Sequence, residues 1–101
     1  YCASKGAVRL LTKAVALHCA AQRYAIRCNS VHPGWIETAM VRPRLESGPD
    51  PVATRAALEK MHPIGRLGQP EEIAALCAFL LSDDASLITG AEFAADGGIT
   101  A

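Results

Sequence analysis

At 101 residues the chain is one domain or part of one. Half of it is hydrophobic, a fifth is charged, and ten basic residues balance ten acidic ones, a composition that excludes a disordered tail and gives no electrostatic reason to bind nucleic acid or an anionic membrane. No apolar run nears the roughly 18 residues of a membrane span, no secretory signal opens the chain, and Cys2, Cys19, Cys28 and Cys77 lack the spacing of a zinc site or a dense disulfide framework.

The scattered cysteines read as small hydrophobes in a reducing compartment, so a cytoplasmic location is expected. The chain opens without methionine, inside what reads as a helix, and is expected to be a fragment or a trimmed chain.

It begins Tyr1-Cys2-Ala3-Ser4-Lys5. Residues four apart share a helix face, so Tyr1 and Lys5 would stand one above the other. An ammonium beside a phenol favours the phenolate, which is otherwise reached only near pH 10, and such a pair suits proton transfer. The same five residues also read as a helix start with an exposed tyrosine and a solvated lysine.

From Ala3 to Tyr24 the pattern is one long helix, with Ala3, Ala7, Leu10, Leu11, Ala14, Leu17 and Ala21 as its apolar stripe. Val8, Val15 and Cys19 lie off that stripe. The helix is therefore apolar on more than one side, as expected for burial on both sides or against another subunit. Ile26, Cys28 and Val31 are strand-like until Pro33-Gly34 ends the run. A helix followed closely by a strand is the αβ part of a βαβ unit and implies a parallel sheet.

Residues 35 to 69 form a long, proline-rich connection of the kind that serves as a lid or binding loop. Thr38 is the expected N-cap of a short helix through Ala39, Met40 and Val41 that Pro43 stops. Asp50-Pro51 starts a second, with Val52, Ala56, Leu58 and Met61, closed by His62-Pro63. Glu46, Asp50 and Glu59 read as a solvated surface. Pro70, Glu71 and Glu72 open a further helix whose core stripe is Ile73, Leu76, Cys77 and Leu80. A turn at Thr89-Gly90 and a strand over Glu92 to Ala95 follow, and Asp96-Gly97-Gly98 reads as a structural turn.

Three motifs stand in order: Tyr1 to Lys5, Asn29-Ser-Val-His-Pro-Gly34, and Asp96-Gly97-Gly98. With Gly65-Arg-Leu-Gly-Gln-Pro-Glu-Glu-Ile73 and Ser82-Asp-Asp-Ala-Ser-Leu-Ile-Thr-Gly90, they make essentially the whole chain similar to the C-terminal half of a short-chain dehydrogenase/reductase. The resemblance implies an α/β fold, here the C-terminal part of a Rossmann-like doubly wound parallel sheet with flanking helices, incomplete on its own. It implies NAD or NADP as cofactor, and hydride transfer between that cofactor and a secondary alcohol or ketone, of hydroxysteroid or related type. Tyr1 matches the family's acid/base, and Lys5 the residue that tunes it and binds the nicotinamide ribose. Pro33, Gly34, Ile36 and Thr38 match the segment along the nicotinamide, with Tyr1 and Lys5 also at the cofactor, while residues 38–64 match the substrate-binding loop.

Trp35 either walls the substrate pocket or caps the core. Met40 is expected at the lid entrance, and His62 stands evenly between touching substrate and packing. His18 and His32 read as structural, and no metal site is expected. The family's glycine-rich phosphate loop, its catalytic serine and its asparagine are absent, and Ser4 is not that serine. Family members pair helices such as residues 3–22 into dimers and tetramers, so a homo-oligomer, a homotetramer in the fullest form, is implied. Two rivals stand beside this reading: a 3-oxoacyl-carrier-protein reductase, and a catalytically incomplete piece competent only for association.

Overall fold

A computed structural model describes residues 1–47 and 49–101. The elements run α1 (Cys2–Ala21), β1 (Ser30–Pro33), α2 (Arg42–Glu46), α3 (Pro51–Lys60), α4 (Pro70–Leu81) and β2 (Glu92–Ala95), with a 3-10 turn at Asp83–Ala85. β1 and β2 are hydrogen-bonded neighbours. They run in the same direction, the Ser30 N–H donating to the Ala91 carbonyl and the Gly34 N–H to that of Ala95. Parallel strands need a crossover between them, and α2, α3 and α4 occupy it. The chain divides into two compact units, Tyr1–Val31 with Cys77–Phe93, and His32–Leu76 with Ala94–Ala101. Among the described residues no helix is long and apolar enough to cross a membrane.

In the first unit α1 buries Thr12, Ala16 and Cys19. The predicted stripe lies elsewhere: Leu10, Leu11 and Leu17 are all exposed. The small side chains on the buried face explain the choice. A Cβ on Gly90 would stand 3.4 Å from the Ala16 Cβ, so backbone and helix meet at van der Waals contact there. Thr12 turns its hydroxyl back onto the Val8 carbonyl at 2.8 Å, which satisfies the one polar group on that face.

The helix ends at Ala21, three residues before the predicted end. Arg23 adopts φ 56°, in the left-handed region. Its N–H donates to the Ala20 carbonyl, and the Tyr24 N–H reaches the Cys19 carbonyl at 2.9 Å. This is a Schellman closure, which glycine normally announces; an arginine there gave no signal.

After the helix, Asn29 acts as a clamp. Its Nδ2 donates to the Ile88 carbonyl at 2.9 Å and its Oδ1 accepts from the Ala91 N–H at 3.0 Å. The side-chain amide thus imitates one rung of the sheet just before β1 begins. Glu92 receives Arg9 and Lys13 from α1, the latter at 2.8 Å, and these two cations hold its carboxyl below the usual range.

In the second unit Leu45, Leu58 and Leu67 form the core, with Trp35 and Val41 packed against it. α3 begins where the sequence predicts: the Asp50 carboxylate accepts from the Ala53 N–H at 3.0 Å, and Pro51 occupies the first helical turn. α2 differs from the expectation. Pro43 opens it rather than stopping an earlier helix, because a proline in the first turn has no intrahelical N–H bond to lose.

Candidate functional site

In the first unit the peptide carbonyl of Tyr1 accepts the Lys5 N–H at 3.0 Å and the Ser4 hydroxyl at 2.7 Å. Tyr1 caps the helix and begins its hydrogen-bond ladder, while the Ser4 hydroxyl is spent on that turn. The Tyr1 side chain is 91% exposed, and Lys5 Nζ lies 5.4 Å from its ring centroid. One turn of helix therefore presents a phenol and an ammonium to solvent within cation–π range.

In the second unit β1 ends at Pro33 and the chain enters a short extended stretch. Ile36 pairs with Gly68 as an isolated parallel bridge. The Gly68 N–H donates to the Trp35 carbonyl and the Glu37 N–H to the Gly68 carbonyl, both at 2.9 Å. A parallel bridge uses the residues on either side of its centre, so the Ile36 N–H and C=O have no partner among the described residues. Thr38 starts the turn into α2, its carbonyl accepting the Val41 and Arg42 N–H groups at 3.0 and 2.9 Å. Its hydroxyl is likewise unpartnered among the described residues. One donor, one acceptor and one hydroxyl are thus left over within three residues, a set complementary to a primary carboxamide.

Gly34 is also required by the packing of the chain around it. A Cβ there would stand 2.9 Å from Asp96 Cα, Asp96 O and His62 Nε2. The close approach that requires glycine is to the chain itself.

His62 is only 3% exposed. Its Nε2 accepts the Trp35 N–H at 3.1 Å, and its Nδ1 lies 2.9 Å from the Leu58 carbonyl. A carbonyl only accepts, so Nδ1 carries the proton and the neutral ring has both nitrogens occupied. Trp35 packs on the leucine core, under the Arg44 guanidinium at 5.2 Å, as one of its two expectations has it, and it also lines a cavity of about 200 Å³. Ile36, His62, Ile64, Ile73 and Asp96 line the same cavity. Met40, at 88%, is among the most exposed side chains of the unit. Pro33 is exposed as well.

Two residues that the sequence reading passed over dominate the charges nearby. The Glu37 carboxylate receives Arg55 Nη1 and Nη2 at 3.0 Å each and Gln69 Nε2 at 3.3 Å. Arg55 chiefly, with Gln69, holds its carboxyl at about 2. Arg55 also reaches Glu59 through Nε at 2.9 Å, so Glu59 is a paired group rather than a bare solvated one. Only this last pair, four residues apart on one helix, had a signal in the sequence. Glu72 is held at about 2 by Arg66 and by the Gln69 N–H, the second contact being one arm of a capping box at the start of α4. Asp96 accepts the Gly98 N–H and the Thr100 N–H and hydroxyl, which hold its carboxyl low and stabilise the turn where Gly97 and Gly98 take φ 63° and 91°.

Those values fix a pH window. Glu37 and Glu72 sit at about 2 when folded against 4.5 when free. Their stabilising contribution is complete above pH 4.5 and disappears as pH falls toward 2. The melting midpoint is expected to be flat from neutral pH down to about 5 and then to fall. Glu37→Gln with Glu72→Gln should lower the neutral midpoint slightly and flatten the acid limb. An acid limb unchanged by both substitutions would place the titrating groups elsewhere.

Comparison with known proteins fits the geometry. A profile of the family described as enoyl-(acyl carrier protein) reductase matches residues 1–100. The chain is 46% identical over 101 residues to an NADP-dependent (R)-specific alcohol dehydrogenase of Lentilactobacillus kefiri, covering 100% of this chain and 38% of that protein. It is 46% identical over 101 residues to a 3-beta-hydroxysteroid dehydrogenase of Comamonas testosteroni, covering 98% of this chain and 39% of that protein. A short chain dehydrogenase family protein from Francisella tularensis subsp. tularensis SCHU S4 superposes with a TM-score of 0.88 at 39% identity, over 96% of this chain and 41% of that one. The chain therefore spans about two-fifths of the length of the relatives it matches.

Proposed function

The chain belongs to the short-chain dehydrogenase/reductase family, and on that footing we propose that it is the C-terminal half of a nicotinamide-dependent oxidoreductase acting on a secondary alcohol or ketone. The observation that carries the reading is the Tyr1–Lys5 pair: an exposed phenol with an ammonium 5.4 Å from its ring. A bound nicotinamide supplies or accepts the hydride at the substrate carbon. Tyr1 Oη gives a proton to the carbonyl oxygen in reduction, or takes it from the hydroxyl in oxidation. Lys5 supplies positive charge beside the phenol and a donor for the nicotinamide ribose.

In the second unit the leftover groups of Ile36 and Thr38 fit the nicotinamide carboxamide, whose oxygen accepts and whose amide donates. Pro33 and Gly34 set where that segment leaves β1. Trp35, ahead of the 38–64 loop, and Met40 within it give the apolar contact with substrate, and His62 acts on the substrate through Trp35, whose amide it holds. The names of the matched relatives, an alcohol and a hydroxysteroid dehydrogenase, favour a compact alcohol or ketone over a carrier-bound chain. A cytoplasmic homo-oligomer completes the reading, resting on the apolar side of α1 that Leu10, Leu11 and Leu17 expose.

The test is nicotinamide oxidation by the full-length protein on addition of cyclic and linear ketones, run with NADH and with NADPH. Turnover with either cofactor supports the reading. Tight cofactor binding without turnover on any ketone or alcohol would overturn it.

A further inference from the structure

The groups that Ile36 and Thr38 leave over are uncharged. The charge nearest them in the chain is Glu37, which stands between the two residues. Its carboxylate takes Nη1 and Nη2 of Arg55 and the side-chain amide of Gln69. Held at about 2 by Arg55 first and then by Gln69, it stays ionised near neutral pH. Arg55 stays a cation too, favoured by Glu37 and then by Glu59. Gln69 also gives its N–H to Glu72, whose charge Arg66 matches. Arg66 and Glu72 stand on the cavity that Ile36 lines. Glu37–Arg55 and Glu72–Arg66 thus accompany the 36–38 segment as two matched pairs, linked by one glutamine.

With side chains 26% and 43% accessible, the Glu37–Arg55 pair adds little to stability. Its field reaches further. Gly68 takes one edge of the extended stretch and leaves the Ile36 N–H and C=O on the other. A ligand on a free edge lies about 5 Å from the backbone, as a neighbouring strand would. Side chains next along that chain are then within a Debye length, about 8–10 Å, of the ligand. The nicotinamide ring is a cation when oxidised and neutral once it has taken a hydride. An unmatched carboxylate beside its seat would favour the oxidised form, and an unmatched guanidinium the reduced one.

We propose that the Glu37–Arg55 pair sets how the 36–38 segment divides its affinity between oxidised and reduced nicotinamide, by matching the segment's one carboxylate with one guanidinium. Both residues act through charge, at a distance, and neither is a catalytic residue. The inference rests on the proposed seat of the nicotinamide at Ile36 and Thr38, and it adds a role for the charge beside that seat. By linkage, a change in this preference moves the equilibrium between bound oxidised and bound reduced cofactor by the same factor.

The test titrates the full-length protein and its variants with NAD, NADH, NADP and NADPH, in the absence of substrate. The quantity read is the Kd of the reduced form divided by that of the oxidised form. Arg55→Gln removes a positive charge and should raise this ratio by about 2- to 15-fold, the range that a unit charge at about 10 Å gives between bulk water and an effective dielectric of about 20. Glu37→Gln removes a negative charge and should lower the ratio by a similar factor. The Gln/Gln double variant restores neutrality and should return the ratio to that of the parent. Arg55→Lys keeps the charge while losing the two-pronged contact, and should keep the parental ratio. Raising the salt from about 0.05 M to about 0.5 M should shrink both shifts, because the Debye length falls.

A role confined to shape would move both forms of the cofactor together and leave the ratio flat. A flat ratio in both single variants, shifts of the same sign in the two, or shifts indifferent to salt would each overturn the inference while the proposed function stands. An Arg55→Lys ratio equal to that of Arg55→Gln would do the same, since the fork and not the charge would then matter. No binding of any nicotinamide by the unmodified protein would overturn both.

Discussion

Tyr1→Phe in the full-length protein is expected to lower turnover by about 10²- to 10⁴-fold, the usual contribution of a positioned acid/base group, while the melting midpoint and cofactor affinity stay close to those of the parent. The structure explains why such a clean separation is available. The ring is 91% exposed and its hydroxyl makes no hydrogen bond among the described residues, so removing the oxygen breaks no contact within residues 1–101. The backbone role of residue 1 as helix cap uses only its carbonyl, which phenylalanine also has. The cation–π contact with Lys5 needs only the ring face. Single-turnover absorbance of the nicotinamide checks the chemistry, and a fluorescence titration checks binding. Near-parental rates would show that another group supplies the proton.

The second large effect is on stability. His62→Ala is expected to cost about 2–4 kcal/mol, from the cavity left by a buried ring together with the desolvation of groups left unpaired. The Trp35 N–H loses its acceptor, while the Leu58 carbonyl loses the imidazole donor and keeps only the Met61 N–H at 3.2 Å. Gly34 and Gly97 lose the ring they pack against. Two conservative variants divide the loss. His62→Gln can offer an acceptor where Nε2 stood, and His62→Asn a donor where Nδ1 stood, so each should recover part of the urea midpoint and neither all of it. A midpoint unchanged in His62→Ala, with substrate KM alone raised, would make the imidazole a substrate ligand.

The parts of this structure that were legible in the sequence are those set by neighbours in the chain. The cap at Asp50 with Pro51 behind it, the opening of α4 at Pro70 and the strand at Glu92–Ala95 all follow from local signals and stand where those signals put them. The Tyr1–Lys5 pair is legible for the same reason, since one helical turn brings it together. Pro43 misled because proline both stops a helix and starts one. The buried face of α1 was obscured by the larger leucines on its other side, which bury the more surface wherever they find a partner.

What stayed hidden depends on residues far apart in sequence. The Glu37–Arg55 fork spans eighteen positions, and no periodicity marks it. Gly34 carried a readable glycine and an unreadable reason, because the atoms that exclude a Cβ belong to His62 and Asp96. His62 could not be assigned between packing and ligand contact from its neighbours alone. Its two hydrogen bonds, to the Trp35 amide and the Leu58 carbonyl, give it a structural place.

The end of α1 carries a consequence for mutational tolerance. An L-residue held in left-handed geometry gives up on the order of 1 kcal/mol, and Arg23 accepts that loss while its N–H stays bonded to Ala20. The usual ranking of side chains is inverted there. Glycine, among the poorest residues inside a helix, fits here without loss, β-branched residues fit worst, and proline is barred twice, by its fixed torsion and by the missing hydrogen. Sequence drift at this one position is channelled by backbone shape alone, whatever the surface around it is selected to do.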